Sequence, residues 1–328
     1  MEISGGVVIS GGVQLVPPTG GGGGSPSPGP SPTPGPSNFG YVSGGYNGSS
    51  YVNIIEKFSF SSDGNGSDVG DLTRNIGVAA GCSSASDGYT AAGDQPQSPG
   101  NGASIQKFAF ASDGNATNIG NMTEWGYYVA GQSSSASGYA SGGIPTNRES
   151  VIDKFSFSSD GNGTDVGDLS TARHRAAGHS SSDNGYTSGG KLDSPETNYN
   201  VIDKFPFASD ANATDVGDLS STRQDVTGQS SSTSGYTSGG RQTQPQPVVN
   251  TIDKFAFASD GNASDVGDLS VARRNSSGQS SNVSGYTSAG RDPGLSNVID
   301  KFPFASDGNA TDVGDITGTR NGTCGQQY

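Results

Sequence analysis

A chain of 328 residues with 29% hydrophobic side chains, 54 glycines and a net charge of −14 has, on averages alone, the composition of a disordered protein. The acid excess argues against nucleic acid or an anionic membrane surface as the partner, and no apolar run reaches the ~18 residues of a membrane span, so no membrane insertion is expected. Two cysteines, Cys82 and Cys324, without CxxC or Cys/His spacing, imply neither a zinc site nor a disulfide framework.

Residues 1–16 carry an internal echo, Ile3-Ser4-Gly5-Gly6-Val7 returning as Ile9-Ser10-Gly11-Gly12-Val13. The segment is too short to fold alone. Its apolar side chains Ile3, Val7, Val8, Ile9, Val13 and Leu15 suit a docking peptide that orders on a partner by strand addition. A disordered tail is the alternative. Residues 17–37 are a Pro/Gly/Ser-rich linker, partly flexible and partly biased to extended polyproline-like conformation.

From residue 38 to 328 the chain repeats. The Lys-Phe pair recurs at Lys57-Phe58, Lys107-Phe108, Lys154-Phe155, Lys204-Phe205, Lys254-Phe255 and Lys301-Phe302, in steps of 50, 47, 50, 50 and 47 residues. Random low-complexity sequence does not hold such a register, and this period predicts small stacked units such as propeller blades. Each copy reads as four strands. Gly185-Tyr186-Thr187-Ser188 ends in a double glycine. Val201 to Phe207 puts Ile202 and the Lys204 stem on one face and Phe205 and Phe207 on the other. Thr214 to Leu219 follows, and then the small-residue run Val226 to Ser231, suited to a crowded axis. Pro206 and Pro303 fall in the third strand, where they require a position free of ladder bonding, such as a bulge.

This order resembles the kelch family of β-propellers over residues 38–328. The double glycine stands at Gly44-Gly45, Gly142-Gly143, Gly189-Gly190 and Gly239-Gly240, and the connector arginine at Arg173, Arg223, Arg273 and Arg320. The family's repeated tryptophan is missing, since Trp125 is the one Trp in the chain. The wording of the repeat, IDKFxFASDGNATDVGDL with GQSS and GYTSGG, is also similar to virion-associated repeat proteins of marine bacteriophages. The expected fold is therefore all-β, a six-bladed kelch-like propeller. The N-terminal strands and residues 322–328 together complete the first blade, which removes free sheet edges. With that closure Cys82 and Cys324 fall in adjacent inner strands one position out of register, which predicts free thiols.

Strand direction sorts the loops onto two faces. One, formed by the loops between second and third strands and by the connectors between blades, carries nearly all the variation. The other copies SDGNATDVG and SSSxSGY almost verbatim, and the linker leaves from it.

Candidate chemistry divides along the same line. The D-x-N turns at Asp63, Asp113, Asp160, Asp210, Asp260 and Asp307 have calcium-like alternation but lack dense carboxylates, and they read equally as Asp-initiated turns. The Asn-x-Ser/Thr sequons from Asn65 to Asn309 follow from copying of that turn. His174 and His179 are expected at the surface. Asp153, Asp203, Asp253 and Asp300, with Glu56 and Gln106 in their place elsewhere, suggest pairing between blades or strands. No catalytic constellation, metal or cofactor is singled out. On the variable face Trp125, Tyr127 and Tyr128 break the repeat, and Arg148, Tyr199, Arg241 and Arg291 share that face. The aromatics read either as a binding patch or as local core.

The resemblance and the layout together imply a non-enzymatic virion structural protein, a capsid decoration or a head or tail fibre. Residues 1–16 would grip a capsid or tail protein, and the variable face would meet a host-surface glycan or protein. Homo-oligomerisation on the particle is left open. A glycan-active or oxidase-type propeller enzyme and an intracellular protein–protein scaffold are the alternatives.

Overall fold

The computed structural model describes residues 38–93, 102–144, 149–243 and 247–327. The proposed anchor and linker, residues 1–37, lie outside them. The described residues form six antiparallel four-stranded sheets and one two-stranded hairpin, Lys191–Asp193 with Glu196–Asn198. In the fourth sheet the strands are Ala177–Ser180, Asn184–Ser188, Val201–Pro206 and Thr214–Asp218, from the axis outward. Each sheet is a blade of a β-propeller, numbered here from the blade that holds Phe39–Ser43. Blade 1 takes its innermost strand from Cys324–Gln327, with Ser43 opposite Cys324 and Gly40 opposite Gln327. The closure expected from the ends of the repeat is thus observed.

The core lies between blades, because a strand with two buried faces must satisfy both neighbours. In blade 4, Tyr186, Ile202 and Leu219 face Phe255 of blade 5. Phe205, on the opposite side of the same strand, faces Tyr139, Ile152 and Leu169 of blade 3. The Phe-x-Phe pair clasps a tyrosine at every interface. Tyr186 lies 4.8 Å from Phe257 in a stacked arrangement and 5.6 Å from Phe255 in a tilted one. The glycine before each tyrosine makes room for this, since a methyl group at Gly185 would stand 2.3 Å from the Phe205 ring.

Blade interfaces are also bonded through polar groups. Lys204 Nζ reaches Asp260 of the next blade at 2.9 Å, and the equivalent pairs run round to Lys301–Asp63 at 2.8 Å, six in all. The asparagine of each turn caps the outer strand of the preceding blade, as where the Asp218 N–H donates to Asn262 Oδ1 at 3.1 Å. The repeated aspartate and asparagine of the D-x-N turn are therefore both engaged in blade assembly. Asp203, the acid of the repeated Asp-Lys pair, accepts hydrogen bonds from the Ser170 N–H and hydroxyl of blade 3 and meets the buried Arg173 at 3.1 Å. Pairing between blades is thus what these repeated acids do.

Pro206 does not sit at the bulge, which falls between Ile202 and Asp203. It lies past the end of the outer strand, whose last pairing is Lys204 with Thr214, so no ladder partner waits for the missing N–H.

At the centre the inner strands meet through glycine. A methyl group at Gly228 would stand 2.2 Å from the Gly178 carbonyl oxygen, and Gly81, Gly131, Gly178, Gly278 and Gly325 are hemmed in the same way. The third residue of four inner strands is a buried glutamine. Gln229 Nε2 donates to the Tyr286 carbonyl and the Thr287 hydroxyl of the next blade at 3.0 and 2.8 Å. The corresponding positions in blades 2 and 4 hold Cys82 and His179.

A ring of left-handed residues at the variable mouth

The connector that brings the chain from one blade to the next turns sharply three residues before the inner-strand glycine. The residues there are Val78, Tyr128, Arg175, Asp225, Asn275 and Gly322, and all six have φ between 53° and 61°. Each backbone N–H is bonded to the carbonyl of the next. Val78 donates to Gly322, Gly322 to Asn275, Asn275 to Asp225, Asp225 to Arg175, Arg175 to Tyr128 and Tyr128 back to Val78, at 2.7–3.1 Å. A closed backbone ring therefore surrounds the axis on the variable face. The left-handed region is inexpensive for glycine and asparagine, but it costs other residues of order 1 kcal/mol and is least suited to a β-branched side chain. In a chain that copies itself so closely, six different residues at one strained position mark a place where side-chain identity matters.

Around this ring the side chains form two groups. Arg175 and Arg274 both pair with the buried Asp225, at 2.8 and 2.9 Å, and the Arg175 guanidinium stacks on Tyr128 at 3.5 Å from the ring centre. From Tyr128 the aromatic run continues to Tyr127 at 5.4 Å and on to Trp125 a further 6.3 Å away. Trp125 is 39% exposed, an unusual state for the one tryptophan of the chain. Beside the ring opens a depression of about 180 Å³ lined by Tyr46, Tyr51, Val78, Tyr128, Asn275, Arg291 and Asn321.

Of the residues singled out by sequence, Trp125, Tyr127 and Tyr128 are brought together, and Arg291 joins Tyr128 at the depression. Tyr199 stands apart, whereas Arg241 is joined to Gln224 beside the ring as Arg291 is to Arg274, without lining the depression. Tyr199 is held by backbone bonds to Gly190 and Arg223, and the Arg241 carbonyl accepts from the Asn198 side chain at 3.3 Å. Arg148 lies outside the described residues. Tyr46, Tyr51, Val78, Arg175, Asp225, Asn275 and Asn321 were not anticipated. The available signal was full variation at one connector position inside an otherwise copied unit.

The two histidines are not at the surface, contrary to expectation. His174 and His179 are 0% and 1% exposed. His179 takes the place of the inner-strand glutamine and meets the equivalent hydroxyls, Ser188 and Thr237, but its carbonyl partner is Gln229 on the neighbouring inner strand, where a glutamine uses the tyrosine carbonyl of the second strand. Nδ1 meets the Gln229 carbonyl at 3.1 Å, which makes it the protonated nitrogen, and Nε2 then accepts from the Ser188 hydroxyl at 2.8 Å. Burial holds both imidazoles neutral, pulling each down to about 4. His174 lies under the hairpin, with Nε2 3.2 Å from Asp193 and its ring tilted against Tyr128. Cys82 and Cys324 are free and buried as expected, but Gly81 lies against Gly325, which sets them two positions out of register and not one, and burial pushes both thiols up to about 12. Among the described residues no three His, Cys, Asp or Glu side chains converge as a metal site would require.

Neither a known family model nor a curated protein matches this chain.

Proposed function

We propose that this propeller is a non-enzymatic display and attachment module of a larger particle, with the variable face turned to a host surface and the N-terminal segment holding the particle. The observation that carries this reading is the division of labour between the two faces. On one face the repeated turns are consumed by blade-to-blade bonds such as Lys204–Asp260 and Asp218–Asn262. The other face carries the exposed Trp125, the aromatic run and the arginines of the axial mouth. The chain enters the propeller at Asn38 and Phe39, next to the copied turn, where the Phe60 N–H donates to the Asn38 carbonyl at 2.9 Å. The resemblance of the repeat to kelch propellers, and of its wording to virion-borne repeat proteins of marine bacteriophages, makes a virion the natural particle. Capsid decoration and head or tail fibre are the corresponding roles, and a surface glycan or protein the corresponding target.

Two experiments test this. Electron cryomicroscopy of the source particle should show residues 1–16 seated between capsid or tail subunits with a propeller held outside. Adsorption to host cells should fall when Trp125→Ala is combined with Arg241→Gln and Arg291→Gln. A free propeller in the lysate, or unchanged adsorption, overturns the respective half of the proposal.

A further inference from the structure

We infer that the axial depression on the variable face is a subsite for one carboxylated sugar residue, with the carboxylate on Arg291. The inference rests on the attachment reading for its biological setting, but the chemistry comes from the lining.

Arg291 is joined to Arg274 by reciprocal backbone hydrogen bonds, its N–H to the Arg274 carbonyl at 3.0 Å and the converse at 3.2 Å. The two arginines have different fates. Arg274 is spent on Asp225, which Arg175 shares, whereas Arg291 has no ion pair among the described residues and borders the depression. Asp225 is thus neutralised by two guanidiniums, and Arg291 stands at the depression without an ion pair among the described residues, with the exposed Asp292 as its chain neighbour. The repeated acids of the copied turns lie on the far face, screened over roughly 8 Å at physiological salt. A guanidinium so placed recognises a planar anion in two-pronged fashion, and a carboxylate fits it.

The remaining lining selects what carries the carboxylate. Tyr46, Tyr51 and Tyr128 line it with aromatic rings, Tyr46 and Tyr51 tilted against each other at 5.5 Å and one face of Tyr128 taken by the Arg175 guanidinium. Aromatic rings pack on the C–H face of a sugar while their hydroxyls stay wet. The carboxamides of Asn275 and Asn321 stand beside them. A carboxamide both donates and accepts, as a sugar hydroxyl does, which an aspartate or a lysine cannot match. A volume of about 180 Å³ is small against the several hundred Å³ of a drug-sized pocket, and suits one sugar ring with the rest of the chain outside. An acidic peptide would also meet the arginine and, through its backbone amides, the two carboxamides, so a peptide is the competing ligand that a sugar must outbind.

The test uses the full chain with glucuronic acid and N-acetylneuraminic acid as probes and glucose as the neutral control, read by ligand-observed NMR and calorimetry at low and physiological salt. The acidic sugars should bind in preference to glucose, more weakly as salt rises. Arg291→Gln should cost about ten-fold or more in affinity for the acids and abolish their preference over glucose. Tyr128→Asn keeps a residue suited to the left-handed backbone and should weaken every sugar. A poly-glutamate peptide that binds more tightly than the sugars overturns the inference in favour of a peptide ligand. Equal binding of acids and glucose, or acid binding indifferent to both variants, overturns it as well. Failure here is distinguishable from failure of the attachment reading. Host adsorption that persists without acidic-sugar binding leaves attachment standing and sinks the subsite. Acidic-sugar binding by a protein that does not adsorb to cells does the reverse.

Discussion

Arg223 and Asp253, both fully buried, meet at 2.6 Å and bond the connector leaving blade 4 to the third strand of blade 5. Asp253 also accepts from the Ser220 N–H and hydroxyl, and the guanidinium donates to the Gly239 and Thr251 carbonyls. Between blades 1 and 2 the chain replaces both charges together. Ile76 stands at the arginine position and Gln106 at the acid position, with Gln106 Oε1 still accepting from the Thr73 N–H at 2.6 Å. Removing one charge should strand the other, so Arg223→Ile is expected to cost about 3–5 kcal/mol. Arg223→Ile with Asp253→Gln should recover most of the loss. Chemical denaturation of the single and double variants checks this.

The glycine ring predicts a sharper intolerance. Gly228→Ala forces a methyl group to 2.2 Å from the Gly178 carbonyl oxygen, which is backbone and cannot swing aside. A loss of about 1–3 kcal/mol or more is expected, with poor soluble yield. Ser232→Ala, in the turn beyond that strand, should be nearly silent. Thermal melting of the two variants compares them.

By contrast the six lysine–aspartate pairs should matter little. In Lys204–Asp260 the two side chains are 28% and 56% exposed, so water and salt screen the attraction. Lys204→Met should change stability by less than about 1 kcal/mol, and 1 M salt should not open the ring. Equilibrium unfolding at low and high salt measures it.

The neutral, buried His179 makes stability depend on acid. Its folded-state value is about 4 against 6.5 for a free imidazole, so the unfolded chain binds the proton first. Its contribution is complete above pH 6.5 and declines as the pH falls from there towards 4, by up to about 1.4 kcal/mol per pH unit. His179→Gln restores the residue found at Gln132, Gln229, Gln279 and Gln326. This variant should flatten the acid limb while leaving the melting temperature at pH 8 nearly unchanged. Melting profiles from pH 8 to 4 give the comparison, with His174 and Asp193, whose carboxyl Lys191 holds below its usual range, both contributing to the acid sensitivity that remains.

Cys82 and Cys324, with thiols pushed up to about 12 and no exposed sulfur, should resist a thiol reagent at pH 8 until the propeller unfolds. Two equivalents of label should then appear together. Labelling in native buffer would contradict the burial of both strands.

Much of the architecture was legible because the repeat writes the same physical requirement six times. Ile202 and Phe205 must face opposite neighbours, and a one-residue slip would exchange their interfaces, so the period of the Lys-Phe pair counts blades reliably. What the repeat does once only was hard to read. His179 replaces a glutamine that is itself polar, so burial left no trace in the pattern. The axial ring is defined by a backbone angle, which Gly322 and Asn275 hint at but Tyr128 and Arg175 do not. The aromatic run at Trp125 was visible as a break in the copying. Its meeting with Arg291, from a different blade, needed the ring to be closed.

The axial ring is joined backbone N–H to carbonyl, and among the described residues its members tie one another through side chains only where Arg175 meets Asp225 and Tyr128. Val78, Asn275 and Gly322 make no such tie, so these three positions can be exchanged without unlocking the propeller, within the limits that a left-handed backbone sets. The same rim offers an experimenter a three-position combinatorial library on a scaffold already held shut.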